Sequence, residues 1–162
     1  MGRRGGAASL DATGLRIAIV ASRYNEDVVG ALLEGAAAAL KEHGVDAGGV
    51  LISWVPGSFE IPLAALALAE SGRFDAIVAL GCVIRGETAH FEHVAGACAQ
   101  GLVEVCLKTG IPCAFGVLTT YTREQAERRA RDSPQGEGNK GREAAEAAIE
   151  MARLLPALRA RS

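Results

Sequence analysis

The sequence predicts an α/β domain, a three-layer α/β/α sandwich with a four-stranded parallel sheet. Four short apolar segments rich in β-branched residues alternate with segments of helical periodicity, as in a chain of βα units. The strand-like segments are apolar almost throughout, which is typical of strands covered by helices on both faces. Glycine follows three of the helical segments, at positions 44, 72 and 110, where it favours the end of a helix.

The elements follow in a regular order. The first strand is predicted at residues 15–21, and residues 26–43 repeat apolar side chains at helical spacing. The other strands are predicted at residues 50–55, 75–83 and 112–120, and the other helices around Pro62 and at 90–109, 123–131 and 140–155. Because parallel neighbours need crossover connections, this order predicts helices on both faces of the sheet and a flavodoxin-like arrangement.

Composition excludes several classes of protein. The 17 basic and 19 acidic residues give a net charge of −2, which argues against a nucleic-acid or anionic membrane partner. No apolar run approaches the roughly 18–20 residues that span a bilayer. The four cysteines form no C-x-x-C pair and are expected to be reduced thiols in the core. Residues 1–14 are expected to be a disordered tail without signal-peptide features, and residues 15–162 a single domain of a cytoplasmic protein.

The loops after the strands are the candidate site, because ligands of open parallel sheets bind at the carboxyl ends of the strands. These loops cover residues 22–25, 56–60, 84–90 and 120–121. Tyr24, Phe59 and Tyr121 lie in them and offer aromatic rings on which a planar ligand could stack.

The third loop leads into a helix N-terminus, where free N–H groups and the helix dipole favour an anion. Thr88 either binds a phosphate oxygen there or caps the helix. His90 is a candidate general acid or base, since histidine transfers protons near neutral pH, but a surface role stays open. His93 lies at i,i+3 from it; with no third ligand evident, no metal site is predicted. The glycine motifs of dinucleotide and P-loop sites are absent, so a phosphate would belong to a small substrate.

Six segments spread over most of the chain from residue 15 carry a resemblance: SRYN (22–25), VPGSFEIP (55–62), ALGCVIRGETAHFEHV (79–94), IPCAFGVLTT (111–120), EQAERRA (124–130) and GNKG (138–141). Together, and in this order, they resemble the 6,7-dimethyl-8-ribityllumazine synthases of riboflavin biosynthesis. The resemblance implies a transferase that condenses 5-amino-6-(D-ribitylamino)pyrimidine-2,4-dione with 3,4-dihydroxy-2-butanone 4-phosphate. The chemistry requires proton transfers, an anion site and positioning, with no cofactor and no metal.

The resemblance also implies residue roles. His90 would transfer protons, and Arg129 would pair with the phosphate. Tyr24 would stack on the pyrimidine ring. The remaining substrate contacts would come from Ser58, Phe59 and Glu60 to the ribityl chain, from backbone groups of Cys82, Val83 and Ile84 to the heterocycle, and from the N–H groups of Glu87 and Thr88 to the phosphate. Phe115 would reach the site of an adjacent subunit in a homo-oligomer, although core packing in its strand is the simpler interpretation.

Two features differ from the usual family pattern. Tyr24 stands where the family usually has Phe or Trp, so stacking is retained while the hydroxyl needs water or a partner. The stretch between Arg129 and residues 138–141 is longer than in shell-forming members, which favours a homopentamer. Three alternatives stay open: a lumazine- or flavin-binding protein without catalysis, a shell-forming structural protein, and a flavodoxin-like electron carrier.

Overall fold

The computed structural model describes residues 9–132 and 137–160 and confirms the predicted α/β fold. The strands are β1 (Ile17–Ser22), β2 (Val50–Val55), β3 (Ala76–Ile84) and β4 (Cys113–Thr120), and the helices are α1 (Glu26–Glu42), α2 (Ile61–Glu70), α3 (His90–Thr109), α4 (Arg123–Ala130) and α5 (Lys140–Ala160). All strand pairs are parallel, and the strand order in the sheet is β2-β1-β3-β4.

Helices cover both faces of the sheet. Alternate residues of β1 face opposite sides: Ile17 and Ile19 pack with α1, α4 and α5, whereas Ala18 and Val20 pack with α2 and α3. Every residue of β1 is buried, and β3 is buried as far as Val83. The near-continuous apolar sequence of these two strands is therefore explained by their central position. Within the ranges given above, no helix is long and apolar enough to cross a membrane.

Helix α5 packs very closely on α1. A Cβ placed on Gly141 would lie 2.0 Å from the Leu32 carbonyl oxygen, so only glycine fits at this crossing. Asn139 is buried beside it; its Nδ2 donates to the carbonyl oxygens of Ala31 (3.0 Å) and Ala130 (2.8 Å). The Asn139 Oδ1 accepts from the Gly141 N–H at 2.8 Å, which satisfies a free amide at the start of α5.

Helix α5 ends five residues later than predicted. It passes through Pro156 and continues to Ala160, although proline removes one helical hydrogen bond. Arg159 in the last turn donates from Nη2 to the Gly110 carbonyl oxygen at 2.9 Å. This contact holds the end of α5 on the turn between α3 and β4.

The predicted tail covers residues 1–14, of which 1–8 lie outside the described residues. Ala12, within that predicted tail, is buried, and its N–H donates to the His43 carbonyl oxygen at 2.8 Å. Arg153 of α5 donates to the carbonyl oxygens of Asp11 (2.7 Å) and Thr13 (2.6 Å). These contacts hold residues 11–13 against the end of α1 and the side of α5. The four cysteines are free thiols; Cys82 and Cys98 are buried in the core, as predicted, whereas Cys106 and Cys113 are only half-buried.

Candidate active site

Backbone hydrogen bonds hold the loops at the carboxyl ends of the strands next to one another. The ladder between β1 and β2 continues past the strands, because Arg23 N–H donates to Val55 O (2.8 Å) and Tyr24 N–H to Pro56 O (3.2 Å). Between β3 and β4, Arg85 N–H donates to Thr120 O at 2.9 Å. Neighbouring loops are thus fixed in pairs, as expected for a site at the carboxyl ends of strands.

Asn25 links the first loop to the central strand, a role that sequence reasoning missed. Its backbone is left-handed, with φ 59°, a conformation that asparagine tolerates better than most residues. Its Nδ2 donates to the Cys82 carbonyl oxygen at 2.9 Å. This bond fixes the turn that carries Tyr24, and it uses one of the two lone pairs of the carbonyl predicted to meet the heterocycle.

Gly81 makes room for Ser58 at the base of the site. A Cβ on Gly81 would lie 2.6 Å from the Ser58 Oγ and 3.2 Å from the Ser22 Oγ, so both hydroxyls pack against bare backbone. Ser58 is buried in a short 3-10 turn that precedes α2. The Ser22 Oγ is also buried and has no hydrogen-bond partner among the described residues.

A cavity of about 670 Å³ opens between these loops and the start of α3, a size typical of small-molecule sites. Nine of the predicted site residues line it: Tyr24, Ser58, Phe59, Glu60, Cys82, Val83, Ile84, Thr88 and His90. Residues from three separate strand ends therefore meet around one cavity. Tyr24 and Phe59 are largely exposed, so both rings are accessible to a ligand.

Three predicted residues do not line this cavity. Glu87 is exposed in the loop before α3, between two residues that do line it, Gly86 and Thr88. Phe115 lies on the edge strand β4, and its side chain is 49% exposed rather than packed in the core. Arg129 lies on α4, on the opposite face of the sheet from α2 and α3.

The lining also includes five residues that the sequence did not assign: Gly57, Gly86, Phe91, His93 and Val94. The last three follow His90 at i+1, i+3 and i+4, so the helical spacing was a signal for the latter two. Phe91 connects the cavity to Tyr121, with ring centroids 6.3 Å apart, and the Arg85 guanidinium lies 5.7 Å from the Tyr121 ring centroid. Tyr121 supports the wall of the cavity rather than lining it.

The start of α3 bears on the two interpretations of Thr88. The helix begins at His90, so the N-cap position falls on Ala89, which makes no side-chain cap. The Thr88 Oγ1 accepts a long hydrogen bond from the His90 N–H at 3.4 Å, so Thr88 caps this amide from one residue before the N-cap position. His90 is the first residue of the helix and is exposed at the cavity. No group of three or more potential metal ligands occurs in the described part of the chain.

Burial raises the pKa of the Cys82 thiol to about 11. The thiol is therefore protonated at neutral pH, and Cys82 contributes an apolar surface rather than a nucleophile. Apart from the Tyr24 phenol, the other ionisable side chains that line the cavity are the imidazoles of His90 and His93 and the Glu60 carboxylate.

Comparison with known proteins assigns this arrangement to a family. The family model described as 6,7-dimethyl-8-ribityllumazine synthase matches residues 14–156. A 6,7-dimethyl-8-ribityllumazine synthase from Thermus thermophilus is 54% identical over 149 residues, covering 92% of this chain and 93% of the relative. One from Edwardsiella ictaluri is 55% identical over 146 residues, covering 90% and 92%. With its cavity at the strand ends and these matches over nearly its whole length, the chain belongs to the 6,7-dimethyl-8-ribityllumazine synthase family.

Proposed function

We propose that this protein catalyses the penultimate step of riboflavin biosynthesis. In this reaction 5-amino-6-(D-ribitylamino)pyrimidine-2,4-dione condenses with 3,4-dihydroxy-2-butanone 4-phosphate to 6,7-dimethyl-8-ribityllumazine, with release of inorganic phosphate and two waters. The observation that carries the proposal is the convergence of nine predicted site residues on one cavity. Family membership supports it.

The cavity matches the needs of this chemistry. An amine must add to a ketone, phosphate must leave, and a ring must close, so protons move at several steps. We assign proton transfer to His90, because its side chain reaches the cavity from the first turn of α3. Tyr24 would stack on the pyrimidine, while Ser58, Phe59 and Glu60, presented on one rigid turn, would hold the ribityl chain. Holding two substrates together supplies much of the rate.

The backbone supplies the other contacts in this proposal. Cys82, Val83 and Ile84 end β3 at the cavity and would meet the heterocycle through main-chain groups. Glu87 and Thr88 precede α3 and would offer their N–H groups to the phosphate, where the helix dipole favours negative charge. The Arg129 guanidinium would pair with the same phosphate.

The assignment of His90 is tested by lumazine formation, followed by absorbance and fluorescence against an enzyme-free control. His90→Ala is expected to lower kcat by roughly 10²-fold, the low end for general acid–base catalysis, without abolishing turnover. His93→Ala is the matched control, because His93 lines the same cavity from the same helix. An equal loss in both variants would contradict the assignment. Wild-type turnover equal to the enzyme-free rate, with tight lumazine binding, would instead indicate a binding protein.

We propose that the active unit is a homo-oligomer, a pentamer in view of the long α4–α5 connection, with sites between subunits in the cytoplasm. Phe115 lies on the same face of β4 as Cys113 and Val117, because residues two apart on a strand share a face. Cys113 and Val117 pack against α2 and α3, whereas Phe115 remains exposed. Leu63 and Leu107 of those helices are also exposed. An exposed apolar surface of this kind favours contact with another subunit.

Subunit complementation tests this arrangement. His90→Ala and Arg129→Ala chains would be unfolded together, refolded as mixed oligomers and assayed. If His90 and Arg129 of one site come from neighbouring subunits, random mixing regenerates both residues in roughly one quarter of the sites. Activity well above that of either variant refolded alone is expected. Activity no higher than the average of the two parents would show that both residues act within one chain.

A further inference from the structure

Arg129, the proposed phosphate ligand, already has an anionic partner in its own chain. Its Nη2 lies 3.2 Å from the Glu137 Oε2, and its Nη1 donates to the Gln125 carbonyl oxygen at 3.1 Å. Both terminal nitrogens of the guanidinium are thus engaged. The Arg129 side chain is 30% exposed, so an external anion has access to the group.

The fold brings this pair together. Asn139, two residues after Glu137, is buried and donates to the carbonyl oxygen of Ala130, the residue after Arg129. The Asn139 N–H donates to the Asp132 Oδ1 at 3.1 Å, which ties the two ends of the α4–α5 connection together. Gly138 turns the chain between Glu137 and this anchor with φ +82°. Arg129 directly precedes Ala130, and Glu137 lies two residues before Asn139. The buried hydrogen bond between Asn139 and Ala130 therefore holds the two charged residues near each other.

We propose that Glu137 is an internal counter-ion that competes with the substrate phosphate for Arg129 and so sets the affinity for phosphorylated ketones. The inference rests on the proposed function, in which Arg129 binds that phosphate. A phosphate monoester carries more charge and more acceptor oxygens than a carboxylate and can replace it on the guanidinium. Acting through Arg129, Glu137 is a positioning residue that disfavours singly charged anions.

The expected effect is modest, because ion pairs between partly exposed side chains contribute little. Glu137→Gln is expected to lower the KM for 3,4-dihydroxy-2-butanone 4-phosphate by about two- to fivefold at low ionic strength. The inhibition constant for inorganic phosphate should fall by the same factor, and the effect should appear in KM rather than kcat. Glu127→Gln is the matched control: it removes the same charge from α4, where Glu127 pairs with Arg123 at 3.0 Å.

Variants of Arg129 separate failure of this inference from failure of the proposed function. If Arg129→Ala leaves the KM for the phosphate substrate unchanged, the proposed role of Arg129 is wrong. If Arg129→Ala raises that KM while Glu137→Gln does not lower it, only the counter-ion inference is overturned. In the Arg129→Ala background, Glu137→Gln should have no further effect. A fall in KM there, or an equal fall in Glu127→Gln, would indicate long-range charge and also overturn the inference.

Discussion

Gly141→Ala is predicted to destabilise the protein, although alanine is the better helix former. Gly141 is the second residue of α5, and a Cβ there would lie 2.0 Å from the Leu32 carbonyl oxygen and 2.7 Å from the Leu32 carbonyl carbon of α1. Van der Waals contact needs roughly 3.5 Å. The two helices would have to separate by more than 1 Å, and backbone atoms cannot rotate out of the way as a flexible side chain can.

Two opposing contributions set the size of the change in the free energy of unfolding. Replacing glycine by alanine in a helix stabilises by about 1 kcal/mol. Overpacking a tight contact costs about 1–3 kcal/mol or more, and separating α1 from α5 also weakens the buried bond from Asn139 to the Ala31 carbonyl, worth about 1 kcal/mol. The overpacking cost should lie at or above the top of that range because the contact is with backbone. The net expectation is a loss of about 3 kcal/mol in the free energy of unfolding.

The measurement is urea unfolding followed by the fluorescence of the single tryptophan, Trp54. Protein concentration must be held fixed, because association of copies adds to the apparent stability. Gly30→Ala is the matched control: Gly30 lies in the interior of α1, and a Cβ added there would meet no neighbouring element within 4 Å, so the same change should stabilise by about 1 kcal/mol. If Gly141→Ala proves as stable as wild type, the helices separate without cost and the packing argument is refuted.

Three further predictions follow from the burial or exposure of single side chains. Asn139→Ala should cost about 2–4 kcal/mol in unfolding experiments, because it removes a cap and two buried hydrogen bonds to the Ala31 and Ala130 carbonyl oxygens. The exposed cap change Thr122→Ala should cost only about 1 kcal/mol, and equal losses would contradict the burial argument. Burial raises the pKa of Cys82 and Cys98 to about 11. A thiol reagent at pH 8 should therefore label both cysteines only after denaturant is added, and rapid labelling of the native protein would refute this. Phe115→Ala should raise the KM for the pyrimidine substrate. Because the side chain is half exposed, the free energy of unfolding should change by less than about 1 kcal/mol, and a larger loss would indicate a core role.

The strands and most helices could be predicted because local pattern and tertiary position agree in them. β1 and β3 are apolar on both faces and lie at the centre of the sheet. The end of α5 could not be predicted, because Pro156 is a strong local signal for termination. The helix continues to Ala160, and Arg159 in its last turn bonds to the Gly110 carbonyl, a partner 49 residues away in the sequence. This tertiary contact supports the end of the helix, and local sequence does not reveal it.

Site residues at the strand ends could be predicted from the sequence, whereas residues that act through distant contacts could not. Residues on the strand ends, such as Ser58 and His90, converge because parallel topology brings strand ends to one edge of the sheet. Asn25 was missed because its function depends on a left-handed backbone and on the distant Cys82 carbonyl. Glu137 was missed for a similar reason: its partner Arg129 lies across a connection closed by a buried asparagine that sequence spacing does not reveal.

The fold of a single chain does not account for the substrate-binding roles that the resemblance implies for Phe115 and Arg129. Both belong to the resemblance, yet neither lines the cavity of its own chain. Phe115 exposes half its side chain on the edge strand of the sheet. Arg129 is held by a carboxylate that a phosphate would have to displace. Both features become reasonable if these residues serve a neighbouring subunit's site, because association would then bury the ring and bring the guanidinium to its substrate.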